Sequence, residues 1–356
     1  MVIHYFFKQE FISGSLHFNM KNILITGGAG FIGSNFINYI LDKRDDVFIV
    51  NLDKLTYAGT LENLKSSEGK KNYRFIKGDI CNRELVEYIF TKYTIKHVIN
   101  FAAESHVDRS ILGSEIFYQT NVIGTNVLLE IARKYEVEKF LQISTDEVYG
   151  SLGENGKFSE TTPISPNSPY SSSKAAADMM ALAFYHTYKM PVVITRCSNN
   201  YGPLQFPEKL IPLMIINTIN NKKLPVYGDG LNVRDWIYVI DHNKAAELVW
   251  EKGRVGEVYN IGASQEMKNI DIVKLILKAL NKSEEMIEYV KDRPGHDRRY
   301  AIDSSKIQNE LAWKPEFNFE EAIQFTIDWY LKNKNWWQRI INGSYLEYYN
   351  LQYKNR

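Results

Sequence analysis

From Met20 onward, short apolar runs alternate with longer stretches whose apolar residues recur at helical spacing. The runs fall at residues 22–26, 48–53, 73–79, 97–103, 139–145 and 191–198, with a later one at 258–263. Short runs separated by helix-length spacers predict βαβ units, hence a parallel sheet buried on both faces. Right-handed crossovers then place helices on both sides, an α/β doubly wound sheet. Helices are expected at 80–90, 115–135 and 168–188. After Cys197 the alternation becomes irregular, punctuated by Pro203, Pro207, Pro212 and Pro225. The expected layout is therefore an extension over 1–19, a nucleotide-binding domain over 20–198 and a smaller lobe that makes up most of 199–356. The run near 258–263 is expected to return to the first domain.

Composition narrows the function classes. The chain has 356 residues, with 43 Lys and Arg against 42 Asp and Glu, a net charge of +1. Nucleic-acid binding by bulk charge needs a basic surplus, and there is none. Hydrophobic residues at 44% and charged residues at 24% describe a globular chain. No apolar run approaches about 18 residues, so no membrane span is expected. Two cysteines, Cys81 and Cys197, can build neither a disulfide framework nor a four-ligand zinc site. A reduced cytoplasmic compartment is expected. Residues 1–19 lack the basic start and unbroken apolar core of a signal peptide, because Lys8, Gln9 and Glu10 interrupt the run.

The first run leads into Gly27-Gly28-Ala29-Gly30-Phe31-Ile32-Gly33, which opens a helix. Glycines at this spacing allow a tight turn and close backbone approach to a pyrophosphate, which the helix N-terminus then attracts. Glycine spacing alone is a weak signal. Asp53 strengthens it by ending the second run 20 residues after Gly33, where a carboxylate can accept both ribose hydroxyls. An acid there favours NAD over NADP, although Lys54 next to it weakens the inference. Asp79 and Ile80, at the end of the third run, are candidates for the adenine edge. Asp79 could equally cap the helix at 80–90.

Tyr170-Ser171-Ser172-Ser173-Lys174 places a phenol and an ammonium at i and i+4 on one helical face. A free tyrosine titrates near 10, too high for a base at neutral pH. A nearby ammonium and a positive nicotinamide ring would favour the phenolate. Together with the glycine loop, this motif resembles the extended short-chain dehydrogenase/reductase family. That resemblance implies a Rossmann-type sheet, tightly held NAD and a nucleotide-sugar substrate.

The discriminating stretch is Thr145-Asp146-Glu147 at the end of the fifth run. Two adjacent desolvated carboxyls cannot both ionise cheaply, so one can serve as acid and the other as base. Removing a C5 proton while protonating a departing C6 hydroxyl needs such a pair. The triplet resembles the signature of the nucleoside-diphosphoglucose 4,6-dehydratases, and similar stretches extend from Met20 to about Trp337. The resemblance implies that Tyr170 deprotonates the C4 hydroxyl, Thr145 hydrogen-bonds it and Lys174 holds the nicotinamide ribose. It gives Glu147 the base role and Asp146 the acid role, and no metal.

The resemblance also extends the cofactor contacts to Phe31, Ile32, Lys54 and Thr56. Ala102, Ala103, Ser105, Thr120 and Asn200 complete that set. For the sugar nucleotide it implies Asn199, Arg234, Asn269 and Arg293 at the phosphates, and Ser105, Thr145 and His296 near the sugar. Lys209, Leu210, Pro225 and Tyr227 are expected at the base. Lone arginines are more often surface ion-pair partners, and His106 reads better as a structural histidine. Helices at 115–135 and 168–188, with Ala175, Ala176, Ala177, Ala181 and Ala183, suggest a homodimer face. The aromatic stretch at 329–337 reads as packing, and 345–353 has no clear reading. The resemblance favours a thymidine diphosphate sugar, with the uridine diphosphate as the alternative, and the residues alone do not settle it. A UDP-sugar epimerase or a non-enzymatic NAD-sensing protein would leave Asp146 and Glu147 unexplained.

Overall fold

The structure, a computed structural model, describes residues 20–341, 345 and 347–350. The extension over 1–19 lies outside the described residues. Seven parallel strands form the main sheet: β1 (Lys21–Thr26), β2 (Val47–Asp53), β3 (Tyr73–Lys77), β4 (His97–Asn100), β5 (Lys139–Thr145), β6 (Val192–Cys197) and β10 (Val258–Ile261). Their order is β10-β6-β5-β4-β1-β2-β3, so the chain winds outward from β1 in both directions. β10 joins the far edge beside β6, with Asn260 opposite Arg196.

Both faces of the sheet are covered, so its strands are apolar almost throughout, and every residue of β2 is buried. Helices Phe31–Lys43 and Val239–Lys252 cover one face around Phe36, Ile40, Val249 and Trp250. Arg83–Tyr93, Thr125–Lys134 and Pro169–Tyr188 cover the other around Ile89, Phe90, Leu128 and Ala181. A separate apolar core unites β8 (Leu224–Tyr227) and β9 (Val233–Tyr238) with helices Leu210–Ile219, Asn269–Ala279 and Phe319–Lys332. β9 pairs with β7 (Asn199–Tyr201) and β11 (Glu266–Lys268), and β8 pairs with β12 (Ile287–Val290). Trp336 and Trp337 are buried in this second core, donating to Asn63 Oδ1 and Tyr330 O.

Three local expectations are corrected. β3 ends at Lys77, so Asp79 lies beyond the strand. Asp79 caps no helix: the helix starts at Arg83, and Asn82 caps it by accepting from Leu85 N. Asp79 instead accepts from Cys81 N in a tight turn, at 2.9 Å. The helix expected over 115–135 is broken into Glu115–Phe117, a π-helical segment at Tyr118–Gly124, and Thr125–Lys134. Within the wide segment the buried Asn121 side chain clamps the Glu104 backbone, accepting from its N–H at 2.8 Å and donating to its carbonyl at 3.0 Å. Apolar periodicity cannot report such a side-chain contact, and π-helical turns often mark functional sites.

Candidate active site

The carboxyl ends of β1, β2, β4, β5 and β6 open into one cavity, the usual ligand position of an open parallel sheet. At one end lies the glycine loop. Gly27 has a φ of +69°, and a Cβ there would sit 2.6 Å from the Ala102 nitrogen. A Cβ on Gly33 would meet the Gly27 carbonyl at 2.5 Å. By contrast, a Cβ on Gly30 would have only one neighbour, at 3.4 Å, because that face opens to the cavity. Gly30 is also the N-cap of helix Phe31–Lys43, and no side chain caps it. The first N–H groups of the helix are left for an anion.

Asp53 closes β2 beside the loop, accepting from Ala29 N at 2.8 Å and Leu55 N at 2.7 Å. Each oxygen keeps a further lone pair for a hydroxyl donor. Burial pushes this carboxyl above its ordinary range, and the two backbone donors oppose the shift. The charge of Lys54 is engaged by Asp79 at 2.7 Å, so it does not offer a free cation for a 2′-phosphate. This arrangement suits the diol of NAD. Every residue expected at the cofactor lines this one cavity. Gly27, Gly30, Phe31, Ile32 and Gly33 form its floor. Asp53, Lys54, Thr56, Asp79 and Ile80 form one flank, and Ala102, Ala103, Ser105, Thr120 and Asn200 the other.

Tyr170 and Lys174 lie near the start of helix Pro169–Tyr188, both buried. Ser168 and Ser171 build a reciprocal capping box there, with Pro169 in the first turn. Thr145 stands at the tip of β5 and lines the same cavity as Tyr170. The phenol sits well above its ordinary value, because burial dominates and the charges of Glu147 and Cys197 add to it. The Lys174 ammonium donates to the Ile143 carbonyl at 2.7 Å. Burial also lowers the Lys174 ammonium, against the charge of Asp178.

After β5 the chain makes a 3-10 turn over Asp146–Tyr149, capped by Thr145, whose Oγ1 accepts from Glu147 N. Thr145 also donates to Asp146 Oδ1 at 3.3 Å, while Asp146 Oδ2 is buried without a partner. The two acids have different surroundings. Asp146 is raised well above the usual carboxylate range by burial first and then by Glu147 and Asp235, with Arg234 opposing. Burial also raises Glu147, but Arg293, Lys209 and Arg234 all pull it back. Burial raises both carboxyls, but Glu147 is opposed by three cations and Asp146 by Arg234 and the Thr145 hydroxyl, an asymmetry of the kind that acid and base roles use.

Of the residues expected at the sugar nucleotide, Ser105, Thr145, Asn199 and Lys209 line the cavity. Leu210, Pro225, Tyr227, Arg234, Asn269, Arg293 and His296 do not. Leu210 and Pro225 belong to the second apolar core and to β8, and Asn269 begins a helix with its Oδ1 unpartnered. Arg293 donates to Asp108 Oδ1 and Tyr227 to Asp108 Oδ2, each at 3.0 Å. Arg234 donates to the Val233 and Asp297 carbonyls and lies 4.2 Å from the Tyr300 ring centroid. The Arg234 Nη1 and Nη2 donors are taken by backbone carbonyls, whereas Arg293 is bound through Nη1 alone. The Arg293 Nε remains unpartnered. His296 pairs with Asp292 and burial lowers it to about 4. His106 is buried against Tyr348, and burial lowers it to about 4 as well.

Cys197, Glu104 and Glu208 also line the cavity without having been singled out. Cys197 pairs in register with Thr145, so its position at a strand end was the available signal. Glu208 accepts from Tyr57 and Arg109, each at 2.9 Å, a convergence of three distant segments that spacing cannot reveal.

Glycine loop, doubly wound sheet and Tyr–Lys helix together define an extended short-chain dehydrogenase/reductase. The family model described as GDP-mannose 4,6 dehydratase matches residues 24–326, and the chain belongs to that family. It is 52% identical over 344 residues to the dTDP-glucose 4,6-dehydratase of Xanthomonas campestris pv. campestris (strain B100), covering 92% of this chain and 97% of that one. A dTDP-glucose 4,6-dehydratase of Bacillus anthracis str. Ames, solved in complex with NAD, is 55% identical with a TM-score of 0.85, covering 90% and 99% of the two chains. That of Streptomyces venezuelae, solved with NAD and a second ligand, is 43% identical with a TM-score of 0.87 and the same coverage.

Proposed function

We propose that the chain is an NAD-dependent dTDP-glucose 4,6-dehydratase, converting dTDP-glucose to dTDP-4-keto-6-deoxyglucose and water. The observation that carries this reading is the unequal environment of Asp146 and Glu147 at the tip of β5. An epimerase has no use for two adjacent buried carboxyls with different charged neighbours.

The glycine loop would hold the pyrophosphate, Asp53 the adenosine ribose, and Lys174 the nicotinamide ribose. When bound, NAD supplies a hydride acceptor at C4 and a hydride donor at C6. Tyr170 takes the C4 hydroxyl proton while Thr145 holds that oxygen. Because the phenol of the chain alone is raised, the positive nicotinamide ring must contribute much of its activation. The resulting C4 ketone acidifies the C5–H bond. Glu147 takes the C5 proton, and Asp146 delivers its proton to the departing C6 hydroxyl. Closure of the cavity around the bound sugar would shield the unsaturated intermediate from water. Tyr227, Arg293 and Arg234 remain our candidates for the nucleotide, released from Asp108 and the carbonyls when it binds.

The test is competition between dTDP-glucose and UDP-glucose, with the 4-keto product read by its alkali-induced absorbance. Keto product from the thymidine substrate in preference supports the reading. Epimerised sugar without keto product refutes it.

We further propose a cytoplasmic homodimer. Leu112, Ile116, Tyr118, Ile123 and Met179 are exposed on the helical segments over 107–124 and 169–188. An exposed apolar patch of this kind suits association with a second copy. No helix among the described residues is long and apolar enough to cross a membrane.

A further inference from the structure

The two halves of the proposed chemistry reside on different elements. Tyr170 and Lys174 belong to helix Pro169–Tyr188, and Asp146 and Glu147 to the turn after β5. Both must address one hexose ring, and misplacement by about 1 Å can reduce a rate about 100-fold. A buried polar chain behind the cavity joins them. Arg196 of β6 donates through Nε to Asp178 Oδ2 at 2.8 Å, and Asp178 lies one turn beyond Lys174 on the same helix. Through Nη1 it donates to the Tyr149 hydroxyl at 3.0 Å, and Tyr149 ends the acid turn. Tyr149 donates onward to Asn260 Oδ1 at 2.8 Å, on β10. Asp178 and Asn260 are fully buried, and Arg196 and Tyr149 are each 2% exposed.

A buried arginine–carboxylate pair is costly to desolvate and is weak evidence for stability as such. None of these four side chains lines the cavity. Their arrangement is directional: the guanidinium spans the gap between the catalytic helix and the acid turn, and its planar fork fixes both angles at once. The Tyr149 ring is held as well, stacked on Phe158 at 5.1 Å between centroids with the Arg196 guanidinium 4.9 Å from its own centroid.

We propose that Arg196 is a positioning residue that sets the distance between the Tyr170/Lys174 helix and the Asp146/Glu147 turn, with Tyr149 as its link to the turn. This inference rests on the dehydratase reading. It places the Tyr149 hydroxyl on the elimination side of the reaction only. Loosening that end shifts the acids relative to C5 and C6 while leaving the phenol and ammonium seated.

Removing Arg196 would strand the Asp178 charge in the core and threaten folding, so the test cuts the chain at Tyr149. Tyr149→Phe keeps the ring, its stacking and the turn, and removes one oxygen. Folding is checked by thermal melting and cofactor retention. With dTDP-glucose in heavy water, solvent exchange at C5 should slow about tenfold while the first hydride step changes less than about twofold. Reduced cofactor should accumulate during turnover. In the Glu147→Gln background the same substitution should add little further loss of exchange, since both act on one step. Equal slowing of both steps, or of neither, overturns the proposal, as does full additivity with Glu147→Gln. The unaltered protein runs in parallel. Absence of keto product from it refutes the dehydratase reading, and this inference with it. Keto product from it alongside an unchanged Tyr149→Phe protein refutes the positioning role alone.

Discussion

The glycine loop and the acid turn are both strand-end turns at the carboxyl edge of one sheet, yet they are built on different principles. The loop works through backbone. Gly27 and Gly33 have no room for a Cβ, and the helix after Gly30 offers uncapped N–H groups. The glycines themselves lie within seven consecutive residues, although Gly27 is pressed against the distant Ala102 backbone. The acid turn works through its surroundings. Asp146 and Glu147 are neighbours in sequence, but Asp235 and Arg234 surround one, and Arg293, Lys209 and Arg234 the other. The comparison teaches that a site made of main chain is local, whereas a site made of tuned protonation states is assembled from distant segments.

The largest expected effects fall on the tuned side. Tyr170→Phe should suppress reduction of the cofactor by about 10³-fold, as loss of a general base does. Glu147→Gln should instead leave that first step and block C5 exchange by about 10²-fold or more, with reduced cofactor accumulating. Rapid-mixing absorbance and deuterium exchange separate the two, and the same defect in both variants would collapse the assigned roles.

Next in size is a probe of the main-chain side. Gly33→Ala puts a methyl group against the Gly27 carbonyl, so the loop must shift. Retained NAD should fall at least about tenfold, a cost of about 1.4 kcal/mol, while the acid turn keeps its geometry. Undiminished cofactor in the purified variant would show that the loop is not a close-approach cradle.

Asp146→Asn tests the stability side of the tuning. The folded-state pKa of Asp146 is raised, so its favourable, neutral form is fully present below the unfolded value near 4. That stability is lost as pH rises through the folded value. Replacing it with a neutral amide should therefore raise the melting temperature by about 2 °C or more at pH 8, with the gain shrinking towards pH 4. Elimination should be lost at the same time. A gain that persists unchanged in acid would mean that burial of the charge is not its cause.

The smallest effect is expected at the half-exposed pair of Lys54 and Asp79. Lys54→Ala should change stability by less than about 1 kcal/mol, as exposed ion pairs do. Preference for NAD over NADP should be retained, because Asp53 carries it. A switch to NADP measured by equilibrium binding would move that role from Asp53 to the pair.

Much of the cofactor half was legible because parallel strands buried on both faces are apolar runs and because glycine spacing reports backbone geometry directly. The wide segment at Tyr118–Gly124 was not legible. Its apolar spacing resembles an ordinary helix, and the Asn121 clamp on Glu104 that accompanies it is a contact across 17 residues. The surroundings of Lys174 were not legible for a related reason. The i, i+4 spacing brings Lys174 to the same face, but only the fold shows that its ammonium turns to the Ile143 carbonyl.

By itself the sequence determined the doubly wound sheet and the glycine loop with its acid, and it offered the candidate side chains now found around one cavity, because these depend on local spacing and on chemistry each residue carries. The tertiary structure alone decided which charges face each carboxyl, that Lys54 is engaged by Asp79, and that Arg196 ties the helix to the turn. Those outcomes depend on desolvation and on charges brought together from far along the chain, and both arise only when the chain has folded.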